Sequence, residues 1–206
     1  AEADEATAPL YAIDATAIVT CHVSDGRLTP PVPRHARYLI SVRDPVARVV
    51  SAFNWRHPNN TRNGKIHGHI YPHIERKLYA CFPTVDAFAL GIVAAGPCGD
   101  LARKFLSVPR AHITEGLEFY VGSVLHKGLL DRPYALLHTE RLAADVAAAA
   151  RWLGCRYRER HEHGHYRTRN ATFLSPAGRA NLRTAFRREY EVLAALEAGP
   201  GRVALA

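Results

Sequence analysis

The sequence predicts an α/β domain built on a parallel sheet. Short apolar, β-branched runs of strand character alternate along the chain with longer segments of helical period. Strands that alternate with helices favour a parallel sheet. A chain of 206 residues with 48% hydrophobic and 22% charged residues can bury a substantial core in one domain. We expect a loose leader over residues 1–14, the α/β domain over 15–197 and a tail over 198–206.

In the first half of the chain, capping signals mark where the predicted helices begin. Asp44 and Pro45 end an apolar strand and start a helix, because Asp is a favoured N-cap and the missing N–H of proline costs nothing at the first helical position. Thr84 is the predicted cap of a later helix. The predicted elements are strands over 15–23 and 38–42, a helix over 45–55, a long exposed loop over 56–74, and helices over 84–94 and 99–106.

In the second half of the chain, similar signals bound the last two predicted helices. Gly154 is a usual C-terminal stop, and Ser175 with Pro176 is a usual start. The predicted elements are an amphipathic helix over 113–125, a strand over 134–138, a helix over 140–153, a basic loop over 156–172 and a final helix over 176–197.

The formal net charge of +8 favours an anionic partner, such as nucleic acid, an acidic glycan or a nucleotide. The basic residues are spread over loops and the last helix without an interleaved aromatic platform, so we expect no nucleic-acid partner. No apolar run approaches the length that a membrane span needs, so we also expect none.

The cysteines and two glycosylation sequons favour an oxidising cellular compartment. The four cysteines form no C-x-x-C pair, which disfavours a structural zinc site, whereas Cys81 and Cys98 flank a helical segment and could form a disulfide under oxidising conditions. Glycosylation sequons begin at Asn59 and Asn170. We expect the Golgi lumen or secretion, with an organelle lumen after removal of a leader as the alternative. Because the chain contains no Met, we expect a processed or truncated product.

Two groups of histidines have a spacing that could gather a metal ion. No Cys or carboxylate pattern completes a familiar site, and solvated loop histidines are the ordinary alternative. We therefore expect no metal cofactor. The groups comprise His67, His69 and His73, and His161, His163 and His165.

The junction between the second predicted strand and its helix carries the strongest functional signal. Arg43 lies at the carboxyl end of the strand, beside the positive end of the helix. Arg48 and Ser51 are three residues apart and share a helical face. An arginine fork and a hydroxyl beside a helix N-terminus suit a phosphate. The ordinary alternative is a capped turn with two solvated arginines.

The full pattern Arg-Asp-Pro-x-x-Arg-x-x-Ser after an apolar strand resembles the segment that binds the 3′-phosphate of the donor nucleotide in sulfotransferases. Other segments follow in the order of that family, and the resemblance covers the chain from about residue 15 to residue 196. These segments are 20–23, 137–145 with 152–154, and 174–179 with 190–193.

The resemblance implies a P-loop-NTPase-like parallel-sheet core with helices on both faces. It also implies transfer of a sulfuryl group from 3′-phosphoadenosine 5′-phosphosulfate to a hydroxyl or amine, with an acidic glycan as the expected acceptor. His22 is the implied general base, with a structural hydrogen bond at a strand end as the alternative. The implied donor contacts are Arg43, Arg48, Ser51, Arg167 and Arg169.

One element of the family pattern is missing from the sequence. Sulfotransferases hold the 5′-phosphosulfate with a Gly/Thr/Ser-containing loop and a Lys, but no such loop precedes residue 15 and no Lys precedes Lys65. We expect a core that lacks its first strand and loop, either because the chain was cut downstream of them or because it is a degenerate relative. The second case predicts a non-catalytic binding or structural subunit, which could belong to a larger assembly.

Overall fold

The computed structural model describes residues 10–13, 16–19, 37–57, 61–62, 65–66, 72–107, 111–126, 131–155 and 172–205. The strands are β1 (Leu10–Ile13), β2 (Thr16–Val19), β3 (Tyr38–Val42), β4 (Thr61–Arg62), β5 (Lys65–Ile66) and β6 (Tyr134–His138). The helices are α1 (Pro45–Arg56), α2 (Pro72–Cys81), α3 (Val85–Gly91), α4 (Pro97–Leu106), α5 (Ala111–Thr114), α6 (Leu117–His126), α7 (Leu142–Leu153), α8 (Pro176–Ala185) and α9 (Arg187–Ala198).

The chain divides into two compact units. We call the first the sheet unit, which comprises Ala1–Ser41, Tyr120–Glu159 and Gly199–Ala206. We call the second the helical unit, which comprises Val42–Phe119 and Arg160–Ala198. Among the described residues, none of the helices is long and apolar enough to cross a membrane.

The sheet unit contains β6 and all of β3 except its last residue, Val42, and these two strands form a parallel pair. The N–H of Tyr38 donates to the carbonyl of Pro133 at 3.1 Å. At the start of β6, the N–H of Tyr134 donates to Gly201 at 2.9 Å, and its carbonyl accepts from Val203 at 2.8 Å. Helix α7 packs on β6, and Tyr134 is fully buried. This α-rich chain with a small parallel sheet confirms the α/β prediction at a coarse level.

The remaining strands form short antiparallel hairpins. Strand β1 pairs with β2, from Leu10 opposite Val19 to Ile13 opposite Thr16. Strand β4 pairs with β5 inside the stretch that we predicted to be a loop. The hairpin of β1 and β2 also extends into the predicted leader, because Leu10–Ile13 precedes residue 15.

The helical unit is built around an aromatic core. Phe53 of α1 stacks on Phe88 of α3 with ring centroids 5.6 Å apart, and it meets the edge of Tyr79 at 4.9 Å. Phe88 in turn meets the edge of Phe105 at 6.5 Å. Helices α1, α3, α4 and α8 pack through this core because their apolar residues recur at helical spacing.

A disulfide joins Cys81 at the end of α2 to Cys98 at the start of α4, with their Cα atoms 5.6 Å apart. This bond confirms the pairing that the sequence allowed. Among the described cysteines, Cys155 is free. The disulfide therefore connects two helices of the helical unit across a short stretch of chain.

Three helices differ from their predicted form. Helix α2 was missed, although Pro72 at its start and the spacing of Ile74 and Leu78 could have indicated it. The predicted helix over 113–125 is broken at Gly116, and the predicted final helix is broken at Phe186. A Cβ atom on Gly116 would overlap the carboxylate of Glu189, so a larger residue at the first break would require that carboxylate to move.

Candidate anion-binding site

The candidate site begins where β3 ends and α1 starts. Asp44 is the N-cap of α1, since its Oδ1 accepts a hydrogen bond from the N–H of Ala47 at 2.8 Å. Pro45 is the first helical residue. Both features were predicted and are confirmed. Arg43 thus lies between the last residue of a strand and a capped helix N-terminus, where partial positive charge accumulates.

Asp44 also contacts the last helix. Its Oδ2 accepts a hydrogen bond from the hydroxyl of Tyr190 on α9 at 2.9 Å. Burial, followed by the hydrogen bond to Asp44 and the charge of Asp44, raises the pKa of Tyr190. The hydroxyl of Tyr190 therefore stays protonated at physiological pH and keeps donating to Asp44.

The guanidinium of Arg48 contacts other helices of the helical unit. Its Nη1 donates to the carbonyls of Ile113 at 3.0 Å and Glu115 at 3.2 Å. Its Nη2 lies 3.9 Å from Oε2 of Glu189, and the guanidinium carbon lies 5.5 Å from the ring centroid of Phe186. These contacts give Arg48 a structural role that connects α1 to α5 and α9. Its role as a phosphate ligand stays a prediction.

Arg43 and Ser51 differ from Arg48 in their contacts with the described residues. Both side chains are half-buried. Within the part of the chain that the structure describes, neither the guanidinium of Arg43 nor the hydroxyl of Ser51 has a hydrogen-bond or ion-pair partner. Contacts with the described residues therefore leave these two polar groups of the motif available for a ligand.

The other predicted site residues cannot be compared with this geometry. His22, Arg167 and Arg169 lie outside the described residues, as do the side chains of both histidine groups and the asparagines of both sequons. Among the residues that are described, no group of three or more His, Cys, Asp or Glu side chains could hold a metal ion.

A buried ion pair near the end of α1 was missed by the sequence reasoning. Nε of Arg56 lies 2.6 Å from Oε1 of Glu75 on α2, and the two side chains are only 6% and 2% exposed. Nearby, the hydroxyl of Tyr79 donates to the carbonyl of Phe53 at 3.1 Å. Burial and then the charge of Glu75 raise the pKa of Tyr79.

The signal for this pair was weak, because Arg56 and Glu75 belong to stretches that look like the edges of a polar loop. Burial also lowers the pKa of the neighbouring His57, and a backbone hydrogen bond with Pro83 opposes that shift. His57 is therefore neutral and lies beside the buried ion pair of Arg56 and Glu75. Removing one partner of such a buried pair strongly lowers the stability of the fold, so we assign this group a structural role.

A second polar group lies in the sheet unit at the end of β6. Oδ2 of Asp145 accepts from the backbone N–H of His138 at 2.8 Å and lies 3.0 Å from its ring Nδ1. Nε of Arg141 lies 3.0 Å from Oδ1 of the same carboxylate. Burial acts to raise the pKa of Asp145, but these hydrogen bonds from His138 and Arg141 outweigh it and hold the pKa below the usual value.

We expect this carboxylate to make the stability of the protein depend on acid. Because the folded-state pKa of Asp145 lies below the ordinary value of 3.8, its contribution is complete above that value and is lost as the pH falls further. Asp145→Asn should lower the unfolding free energy at pH 7 by about 1.5–3 kcal/mol and flatten its decline below pH 4. Urea unfolding between pH 2 and pH 7 measures this. An equally steep acid decline in Asp145→Asn would contradict it.

Comparisons with protein-family models, with curated proteins and with solved structures find no match to this chain. The functional interpretation therefore depends on the residues and contacts described above.

Proposed function

We propose that this chain is a sulfotransferase-like protein that binds 3′-phosphoadenosine 5′-phosphosulfate and transfers its sulfuryl group to a hydroxyl or amine of a glycan. The observation that carries the proposal is Arg43, an arginine without a protein partner in the described chain, which follows a strand and directly precedes a capped helix. The spacing from Arg43 to Ser51 also supports the proposal, because it matches the pattern of the sulfotransferase segment that binds the 3′-phosphate.

In the proposed site, Arg43 and Ser51 bind the 3′-phosphate of the donor. A guanidinium supplies paired N–H donors and full positive charge, and the serine hydroxyl adds a neutral donor. The two groups orient the nucleotide, and positive charge also offsets the charge of the leaving nucleotide. Arg167 and Arg169 are proposed as further contacts from the predicted basic loop over 156–172, and Arg48 as a support for the helix that carries Ser51.

The proposed transfer follows from this orientation. The acceptor oxygen or nitrogen forms a bond to sulfur while the bond between sulfur and the phosphate oxygen breaks, and adenosine 3′,5′-bisphosphate leaves. His22 takes the acceptor proton. Phosphoryl transfer is the nearest chemical analogy, because positioning and charge stabilisation contribute most of the rate there.

The proposed fold and location extend the coarse architecture. We propose that the parallel pair of β3 and β6 belongs to a P-loop-like core with helices on both faces. The Cys81–Cys98 disulfide supports a location in the secretory pathway, since disulfides persist in oxidising compartments.

The proposal predicts that nucleotide affinity depends on Arg43 and on the 3′-phosphate. Arg43→Ala should weaken binding of adenosine 3′,5′-bisphosphate by about 10- to 100-fold, and Ser51→Ala by about two- to tenfold. Neither change should alter the affinity for adenosine 5′-monophosphate, which lacks the 3′-phosphate. Isothermal titration calorimetry measures all of these affinities.

Arg179→Ala is the matched control, because Arg179 is an exposed arginine of α8 that lies outside the candidate site. It removes the same charge and should leave both affinities unchanged. Equal affinity of the unaltered protein for the two nucleotides would overturn the proposal. Binding of the bisphosphate without any sulfuryl transfer would favour a non-catalytic binding subunit.

A further inference from the structure

Two consecutive residues of α9 contact Asp44 and Arg48, the two motif residues whose side chains are bonded to other described residues. The hydroxyl of Tyr190 donates to Asp44 at 2.9 Å, and the carboxylate of Glu189 lies 3.9 Å from Nη2 of Arg48. Glu189 also accepts from the N–H of Leu117 at the start of α6. Residues near the start of α9 therefore fix the positions of the Asp44 and Arg48 side chains.

The contact between Asp44 and Tyr190 matters for the charge near Arg43. The carboxylate of Asp44 lies at the N-terminus of α1, where it would repel a phosphate that approaches the same helix end. Its Oδ1 is occupied by the N–H of Ala47 at 2.8 Å and its Oδ2 by the hydroxyl of Tyr190. Both donors offset the negative charge and keep the carboxylate in its capping position.

We propose that Tyr190 is a positioning residue of the anion-binding site. Its hydroxyl holds Asp44 on the capping side of α1 and offsets the charge of Asp44, which leaves the phosphate to Arg43 and Ser51. This inference rests on the proposed function, because it assigns Tyr190 to the phosphate site that Arg43 defines.

The inference predicts a loss of affinity that depends on the charge of Asp44. Tyr190→Phe should weaken binding of adenosine 3′,5′-bisphosphate by about five- to tenfold, because the hydroxyl no longer offsets the negative charge of Asp44. Asp44→Asn keeps a favoured N-cap but removes the charge, so it should bind at least as tightly as the unaltered protein. In the Asp44→Asn background, Tyr190→Phe should change the affinity by less than about twofold. Calorimetric titration of the four proteins completes this double-mutant cycle.

Tyr79→Phe is the matched control for a purely structural effect. Tyr79 lies in the same helical unit and also donates its hydroxyl to one oxygen, the carbonyl of Phe53 at 3.1 Å. Its replacement should lower the midpoint of urea unfolding and leave the bisphosphate affinity unchanged. A structural role of Tyr190 alone would give the same pattern as Tyr79→Phe, and that result would overturn the inference.

Inorganic phosphate separates this inference from the proposed function. Binding of phosphate is read from the amide resonance of Ala47 during an NMR titration. If phosphate binds and needs Arg43 while the bisphosphate does not bind, the sulfotransferase proposal fails and the cycle is completed with phosphate. If the bisphosphate binds in an Arg43-dependent way but Tyr190→Phe binds equally well, only the inference fails. If neither probe binds, both are wrong.

Discussion

Replacing Glu75 by alanine is expected to lower the unfolding free energy of the protein by about 3–5 kcal/mol. Glu75 and Arg56 are 2% and 6% exposed, and their charged atoms are 2.6 Å apart. Removal of one partner leaves an uncompensated charge inside the aromatic core, which costs far more than the attraction itself. Urea unfolding monitored through the fluorescence of Trp55, in a Trp152→Phe background, measures the change in the helical unit.

An exposed ion pair of the same length provides the control. Nη2 of Arg103 also lies 2.6 Å from Oδ1 of Asp100, but the two side chains are 45% and 73% exposed. Asp100→Ala should therefore cost no more than about 1 kcal/mol. Similar losses in Glu75→Ala and Asp100→Ala would contradict the prediction.

A double replacement distinguishes burial of charge from loss of packing. Arg56→Met combined with Glu75→Leu should recover most of the stability lost in Glu75→Ala, because apolar side chains of similar size need no charged partner. If the double variant is as unstable as Glu75→Ala, the pair contributes mainly through shape. Loss of nucleotide affinity is not expected in either variant, since the pair lies at the other end of α1 from Arg43.

Loss of the disulfide is the second large effect. Cys81 and Cys98 are 17 residues apart in sequence. A cross-link that closes a loop of this length lowers the conformational entropy of the unfolded chain, which stabilises the folded state by about 3 kcal/mol. Cys81→Ser combined with Cys98→Ser should lower the unfolding free energy by about that amount. Urea unfolding of the variant and of the oxidised protein gives the comparison.

Cys155→Ser is the control for replacement of a cysteine, because Cys155 is free and only half-buried. It should change the unfolding free energy by less than about 0.5 kcal/mol. Reduction of the unaltered protein should reproduce the instability of the double serine variant. If oxidised and reduced protein unfold at the same urea concentration, the disulfide does not stabilise the helical unit.

The junction of β3 and α1 was predictable from sequence because its signals are local. A β-branched run, an N-cap at Asp44 and a proline at the first helical position act within a few residues of one another. The same is true of the α7 stop, where Gly154 adopts φ 71°, a left-handed conformation that glycine accepts easily. Local backbone preferences decide such features, and the sequence states them directly.

The breaks at Gly116 and Phe186 were not predictable in that way. Apolar residues keep a helical spacing across both positions, so periodicity alone indicates two continuous helices. The first break depends on Glu189, whose carboxylate occupies the space beside Gly116 and accepts from the N–H of Leu117. That partner is distant in sequence, and only the packed structure brings it there.

By itself, the sequence determined the strand, the capped helix and the Arg43-to-Ser51 spacing, because short-range stereochemistry specifies them. It also placed Arg48 and Ser51 on one helical face. Only the tertiary structure decided that Arg48 is bound to carbonyls 65 and 67 residues away, whereas Arg43 and Ser51 find no partner among the described residues. The physical reason is that hydrogen-bond partners of a long side chain depend on which helices pack beside it, and that packing is not encoded in any one stretch.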